Sequence, residues 1–382
     1  MRLTIACCFG ALALGSVATS AQAQSDENWL KCNATDTSKY SLDEQVAGCT
    51  AEITSGKLNA KDLAIEYYNR GVTFGLKHDD DQALADYNSS IQQNADEADA
   101  HLNRGNIYLR RKDYASAIAD YDVAARLHPQ DPMVFNNRGD AYYNQDDYDH
   151  AIADYDEAIR LNPNYARAYE NRADAYRLKK DLDHASSDYD TAIRLDPQMA
   201  DAYQGRGLTF LKRSDYDRAI ADFTANINLN AKDANAYFDR GYAHSSKKEY
   251  ALAVADYSEA IRVDPELTSA YNNRCLVRAA YIGTNLDLAR KDCDAAIRLD
   301  PKHETAISTR GLIGLKEKRF QAAWNDYDAA VKLAPDDAED LYGRGLAALR
   351  LGRAAEGQAD IAKAKSINPK IEDIFIKKGI KL

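Results

Sequence analysis

Cysteine is the residue type in this sequence with the widest chemistry, because a thiol can bind metal, attack a substrate or form a disulfide. Four cysteines lie beyond the first 23 residues: Cys32, Cys49, Cys275 and Cys293. They form two pairs that lie far apart in the sequence, whereas a structural zinc site needs four convergent ligands. No histidine with a helper carboxylate is recognisable beside either pair, which argues against a catalytic thiol. We therefore predict two local disulfides and no metal.

Arginine and aspartate recur in step along most of the chain. We name this set the Arg–Asp ladder; its arginines are Arg70, Arg104, Arg138, Arg172, Arg206, Arg240, Arg274, Arg310 and Arg344. Their aspartates follow at Asp86, Asp120, Asp154, Asp188, Asp222, Asp256, Asp292, Asp326 and Asp360. An unpaired charge on a packing surface is costly, so we expect each arginine to bind an aspartate. The alternative is that the arginines form a stripe that binds anions.

Composition and motifs exclude several classes of protein. The 382 residues are 29% charged and 45% hydrophobic, which fits neither a membrane protein nor a disordered chain. The net charge of −11 argues against nucleic acid as a partner. The sequence contains no phosphate-binding loop, no His-Glu-x-x-His motif and no nucleotide fingerprint, so we predict no cofactor and no enzymatic activity.

The spacing of small and aromatic residues indicates nine repeats of about 34 residues. In the third repeat, 133–144 and 148–161 each place apolar residues at helical spacing, and Asp146-Asp147 separates them. Prolines such as Pro163 end the second helix of a repeat, because proline has no backbone N–H. A glycine or alanine in most first helices, such as Gly139, leaves room for an aromatic residue 16 positions later. Neither helix covers its apolar face alone, so the repeats must stack.

These positions resemble the tetratricopeptide repeat (TPR) family over residues 64 to about 370. The resemblance implies an all-α fold, a right-handed α-solenoid of about nine helix-turn-helix repeats with capping helices at both ends. It also implies that the first helices line a concave groove that binds partners. In the seventh repeat Cys275 takes the small position and Cys293 the aromatic position that it contacts in this family, so a disulfide is sterically reasonable there. A disulfide between Cys32 and Cys49 would stabilise the segment before the repeats.

The two ends of the chain differ from the repeats. Residues 1–23 have the short basic start, the apolar run and the Ala21-Gln22-Ala23 site of a cleaved signal peptide, which predicts a periplasmic or secreted protein with no transmembrane segment. We predict a preamble with a capping helix at 24–63, nine repeats at 64–370 and a C-terminal capping helix at 371–382.

The family resemblance also points to candidate groove residues. Asparagine recurs at the sixth place of the repeat, and an amide there can both donate to and accept from an extended peptide backbone. These residues are Asn69, Asn103, Asn137, Asn171 and Asn273. Towards the C-terminus, Leu312 and Leu346 occupy groove positions, and a continuous apolar strip would mark a ligand surface unless the terminal helix covers it.

From these observations we predict a non-enzymatic scaffold of the cell envelope that binds a protein or an extended peptide. Two alternatives remain. The apolar C-terminal part of the groove could bind a small molecule or lipid, or the chain could be an accessory subunit of an envelope enzyme. The sequence does not identify the partner.

Overall fold

A computed structural model describes residues 27–34, 38–283 and 285–380. The described residues are almost all helical and contain no β-strand. The chain forms two compact units, one ending at Ala168 and the other beginning at Tyr169. The predicted signal peptide lies outside the described residues.

The first unit contains a short helix α1 at 27–32 and three complete helix pairs after α2. Its helices are α2 (Leu42–Thr54), α3 (Ala60–Leu76), α4 (Asp80–Gln93), α5 (Ala98–Arg110), α6 (Tyr114–Leu127), α7 (Pro132–Asn144) and α8 (Tyr148–Leu161). The pairs α3/α4, α5/α6 and α7/α8 are repeats 1 to 3. From α2 to α8 each helix packs on the next, as the stacking argument requires.

The second unit contains repeats 4 to 9 and a terminal helix. Its helices are α9 (Ala166–Leu178, which begins three residues before the boundary), α10 (Leu182–Leu195), α11 (Ala200–Lys212), α12 (Tyr216–Leu229), α13 (Ala234–Ser246), α14 (Tyr250–Val263), α15 (Thr268–Leu276), α16 (Leu286–Leu299), α17 (Glu304–Lys316), α18 (Phe320–Leu333), α19 (Ala338–Arg350), α20 (Ala354–Ile367) and α21 (Ile371–Lys377). Consecutive pairs from α9/α10 to α19/α20 form the repeats. The predicted all-α solenoid of helix pairs is confirmed.

The turn inside each repeat follows from local chemistry. In repeat 3, Asp146 adopts a left-handed conformation with φ of 61°, and the Asp147 side chain then accepts a hydrogen bond from the backbone N–H of His150. This cap satisfies one of the free N–H groups at the start of α8. The predicted break at Asp146-Asp147 is therefore a turn with a helix cap.

Close approach of the two helices depends on a small residue in the first helix, which is glycine in seven of the nine repeats. A Cβ atom at Gly139 would lie only 2.7 Å from Tyr155 Cε1, and one at Gly105 would lie 2.7 Å from Tyr121 Cε1. Such contacts are too short for real carbon atoms, so a larger residue would push the helices apart. Tyr155 and Tyr121 are fully buried as a result.

The Arg–Asp ladder is formed in all nine repeats. Each arginine donates from Nε and Nη2 to the two carboxylate oxygens of its aspartate, at distances of 2.6 to 3.1 Å. This two-pronged geometry matches the planar guanidinium to the carboxylate and is the strong form of the ion pair. The pairing predicted from the sequence is confirmed, and it ties the first helix of each repeat to the second.

Most ladder arginines also reach the preceding repeat. In repeat 3, Arg138 Nη1 donates to Asp122 Oδ1 of α6 at 2.7 Å, and in repeat 6, Arg240 Nη1 donates to Thr224 Oγ1 of α12 at 3.1 Å. The same bond occurs at Arg104, Arg206, Arg274, Arg310 and Arg344, with Asn88, Asp190, Ser258, Asp294 and Asp328 as acceptors. Each of these side chains therefore joins three helices.

The seventh repeat departs from the others where the sequence has two extra residues. Helix α15 continues as a π-helix over Val277–Ile282 and ends at Gly283, which has a φ of 69°. A π-helix accommodates an insertion without breaking the helix. The structure forms the Cys275–Cys293 disulfide in this repeat, with a Cα–Cα distance of 5.5 Å. Arg278 Nη1 donates to Asp292 at 2.5 Å, so this aspartate binds two arginines.

Both ends of the described chain are covered. The disulfide Cys32–Cys49 joins α1 to α2, and Ser41 and Glu44 form the expected capping box at the start of α2. At the other end, α21 packs on α19 and α20 and buries Ile371 and Phe375. These contacts shield the apolar faces that a terminal repeat would otherwise expose.

Candidate functional site

The predicted asparagines of the first unit lie half-buried on successive first helices and contact neighbouring elements. Asn69 Nδ2 donates to Asn33 Oδ1 at 2.9 Å, Asn103 Nδ2 donates to the Tyr68 hydroxyl at 3.2 Å, and Asn137 Nδ2 donates to Asn106 Oδ1 at 2.9 Å. The Asn103 and Asn137 amides therefore reach back to the preceding first helix, and the Asn69 amide reaches the residue that follows α1. The row is a hydrogen-bonded network that links helices.

These bonds use only part of the capacity of the amides. A carboxamide has two N–H donors and a carbonyl oxygen that accepts. Within the described residues, Asn69 and Asn103 each use one side-chain N–H, so the second N–H and the carbonyl oxygen remain for a ligand. The network fixes the orientation of the amides.

In the second unit the asparagines are less regular. Asn171 lies half-buried on α9, and Asn273 on α15 accepts a bond from Asn272 Nδ2 at 3.2 Å. The corresponding place on α13 holds Asp239, which accepts from Gln204 Nε2 at 2.6 Å. Burial raises the pKa of Asp239 to about 6. The structure therefore does not extend one uniform row of amides through this unit.

Tyrosine hydroxyls on the second helices form a second polar layer that the sequence analysis missed. Tyr121 donates to Asn106 at 2.8 Å, and Tyr155 donates to Asp140 at 2.8 Å. In the second unit Tyr189 donates to Asp174 at 2.6 Å. The sequence does contain a signal for this layer. In these repeats a polar residue directly follows the small residue, and a tyrosine lies 16 positions after the small residue.

Among the acidic residues near the asparagines of the first unit, Asp140 has the pKa that is shifted furthest from its usual value. Burial raises the pKa of Asp140 to about 7, although the Tyr155 hydroxyl opposes this by stabilising the carboxylate. The folded protein therefore holds a proton on Asp140 over a pH range in which the unfolded chain does not. The charge of this part of the face changes near neutral pH.

The apolar candidates near the C-terminus are not an open strip. Leu312 is only 3% exposed and lies in the same core cluster as Tyr342 and Phe375, and Leu346 packs against that cluster. The Tyr342 and Phe375 ring centroids are 4.9 Å apart, so α21 supplies part of the cover. The prediction of a ligand surface at Leu312 was wrong, because the terminal helix and neighbouring repeats bury this residue.

One group of described residues has the side-chain types and spacing of a metal site. The ligand atoms of Cys32, Cys49 and Glu66 lie within 4.8 Å of one another. Both sulfurs are joined in the disulfide, and metal binding requires free thiolates. While this disulfide is formed, the two sulfurs cannot bind a metal ion, and the bond has a structural role.

Comparison with known families agrees with this geometry. Models described as tetratricopeptide repeat match residues 132–165 and 79–132, 205–267 and 308–369, and one described as TPR repeat matches 173–214. Together these stretches cover more than half of the chain. The chain belongs to the tetratricopeptide repeat family.

Solved TPR structures share the fold of this TPR protein. The C-terminal part of a TPR repeat-containing protein from Cytophaga hutchinsonii is 19% identical, covers 63% of this chain and 98% of its own, and has a TM-score of 0.53. A tetratricopeptide repeat protein from Parabacteroides merdae is 19% identical, covers 65% of this chain and 98% of its own, and has a TM-score of 0.50. No curated protein sequence matches the chain. These similarities concern the fold.

No helix among the described residues of this TPR protein has both the length and the apolar character needed to cross a bilayer. The longest, α3, has 17 residues and carries charged side chains at Lys61, Asp62, Glu66 and Arg70.

Asp140→Asn should stabilise the protein more at high pH than at low pH. Wild type loses stability as pH rises from the pKa of the unfolded aspartate, near 4, to the folded value of about 7, whereas asparagine has no proton to lose. The stabilisation should grow by about 1–2 kcal/mol between pH 5 and pH 8, measured by urea unfolding. The exposed Asp96→Asn variant is the control. An effect of Asp140→Asn that is equal at both pH values would contradict the assignment.

Proposed function

We propose that this TPR protein is a non-enzymatic scaffold of the cell envelope that binds an extended peptide segment along the first helices of the first unit. The observation that carries the proposal is the set of fixed amides at Asn69, Asn103 and Asn137. Each belongs to a successive repeat, so the amides recur regularly. An extended chain also offers N–H and C=O groups at regular intervals.

Backbone recognition of this kind gives affinity with little dependence on sequence. Selectivity would then come from neighbouring charges. Asp99, at the start of α5, is half-exposed, and Asp140 is ionised in part at neutral pH. These acids favour a segment with basic or neutral side chains and disfavour an acidic one.

The envelope location rests on the sequence of residues 1–23 and is compatible with the two disulfides. Protein purified from its natural host should begin near Gln24, as measured by N-terminal sequencing. Thiol titration of the denatured, unreduced protein should find less than one reactive group per chain, because all four remaining cysteines are paired. A retained leader, or two or more reactive thiols, would contradict export with paired cysteines.

Replacing Asn69, Asn103 and Asn137 together by alanine should weaken peptide binding at least about tenfold. Each lost amide hydrogen bond contributes roughly 0.5–1.5 kcal/mol, and about 1.4 kcal/mol corresponds to a factor of ten. The ligands are peptides selected against residues 24–382 from a displayed library of random 12-residue sequences, and the dissociation constants are measured by fluorescence anisotropy. Helical content should not fall, since alanine is the better helix former.

A matched triple variant tests whether loss of any three asparagines has the same effect. Asn164, Asn228 and Asn230 are exposed and lie outside the first helices, so their replacement by alanine should leave the affinity unchanged. Equal affinity of wild type and the Asn69/Asn103/Asn137 variant would show that the amides serve only the internal network. Selection of predominantly acidic peptides would contradict the proposed role of the neighbouring acids.

A further inference from the structure

A stacked pair of side chains recurs in the middle repeats, between the end of the first helix and the start of the second. In repeat 3 the Tyr142 and His150 rings stack with centroids 5.1 Å apart. In repeat 4 Tyr176 and His184 do the same at 5.0 Å, and in repeat 5 the guanidinium of Arg218 lies 4.3 Å from the centroid of Phe210. An aromatic ring from the first helix thus meets a planar group from the second.

Repeat 8 lacks both members of this pair. Gly314 takes the position of the ring and Ala322 the position of its partner. In their place the structure has a cavity of about 310 Å³ between α16, α17 and α18. Gly314 and Ala322 both line it, together with Arg290, Asp294, Arg310, Glu317 and Asp326. The cavity therefore occupies the place of a side-chain ring that other repeats supply.

The ladder arginine of repeat 8 is uncovered at this cavity. The Arg310 side chain is 31% exposed, whereas the other eight ladder arginines are 15–20% exposed. In repeats 4 and 5 the ladder guanidinium carbon lies 6.0 Å from the centroid of Tyr176 or Phe210. This distance allows cation–π attraction, so the exposed face of Arg310 is a surface on which an aromatic ring can stack.

The first helix of repeat 8 leaves little room for a side chain at the position of the ring. A Cβ atom at residue 314 would lie 3.0 Å from Ala323 Cβ and 3.1 Å from Ala323 Cα. Because α17 and α18 approach so closely at Gly314, even alanine would be tight. A ring attached to residue 314 would therefore require α17 and α18 to move apart.

The charges that surround the cavity balance. Arg310 binds Asp326 and Asp294, and Arg290 binds Glu317, which also lies 3.5 Å from Arg319. Three cations and three anions leave no net charge with which to select a charged ligand. The volume is at the small end of the range for ligand cavities and suits one ring system.

We propose that the cavity beside Gly314 and Ala322 binds a planar aromatic ring, which lies within cation–π distance of Arg310 as Tyr176 and Phe210 lie near the ladder arginines of repeats 4 and 5. The ring can belong to a free aromatic compound or to an aromatic side chain of a bound peptide. The cavity lies in the second unit, so this proposal is independent of peptide binding by the first unit.

The test measures binding of small probes to residues 24–382 by saturation-transfer NMR and calorimetry. The probes are p-cresol, indole and N-acetyltyrosinamide, with cyclohexanol as a non-aromatic molecule of similar size. We expect the aromatic probes to bind with millimolar affinity and cyclohexanol to bind at least about tenfold more weakly, because only the aromatic probes stack on a cation. Binding of N-acetyltyrosinamide supports a peptide side chain as the source, and binding of p-cresol or indole alone supports a free compound.

Ala322→Trp should fill the cavity and weaken binding of the aromatic probes at least about tenfold, since the new ring competes for the face of Arg310. Ala251→Trp is the matched control, because Ala251 is also exposed in the first turn of a second helix. Circular dichroism confirms that both variants fold, and Asn325→Trp at the cavity rim replaces Ala322→Trp if the latter does not. No binding of any aromatic probe, equal binding of cyclohexanol, or equal loss in both tryptophan variants would overturn the proposal.

Discussion

The two-pronged pairing of a ladder arginine with its aspartate is the interaction on which the rest of the structure depends. A guanidinium on a packing face is tolerated only when its donors are satisfied, and here the carboxylate of the second helix satisfies two of them. The third nitrogen then reaches the preceding repeat in most cases, for example from Arg138 to Asp122. One side chain thereby sets both the spacing within a repeat and the contact between repeats.

This arrangement leaves the other faces of the first helices free to vary. Packing within a repeat is fixed by the ladder and by contacts such as that between Gly139 and Tyr155. Residues that do not take part in these contacts can therefore differ between repeats without loss of the fold. The Asn103 amide and the Asp140 carboxyl group occupy such positions, and their hydrogen bonds to Tyr68 and Tyr155 orient them.

Much of the fold could be predicted from the sequence, because the same pattern of residues recurs in nine repeats of about 34 residues. The helix pairs, the turn at Asp146-Asp147 and the pairing of Arg138 with Asp154 all follow from that period. The second acceptor of the ladder arginines could not be predicted, since its residue type changes among aspartate, asparagine, threonine and serine. The signal peptide and the peptide-binding role of the asparagines remain predictions.

The features that differ from the prediction have a common cause. The burial of Leu312 and the cavity beside Gly314 both depend on residues that are distant in sequence. Leu312 occupies a groove position by its number in the repeat, yet residues of other repeats and Phe375 of the terminal helix share its core cluster. The cavity at Gly314 was missed because a missing side chain leaves no motif. Only the structure shows that a cavity lies beside Gly314 and that Arg310 is more exposed than the other ladder arginines.

A double-mutant cycle on Arg138 and Asp154 tests the central role of the ladder most directly. Urea unfolding would be measured for Arg138→Met, Asp154→Ala and the double variant, with the half-exposed Asp122→Ala as control. Each ladder variant should cost roughly 1–3 kcal/mol because it strands the partner charge, and the double variant should recover much of the summed loss. Asp122→Ala should cost less than about 1 kcal/mol. Single variants that unfold like wild type, or losses that simply add, would contradict the account.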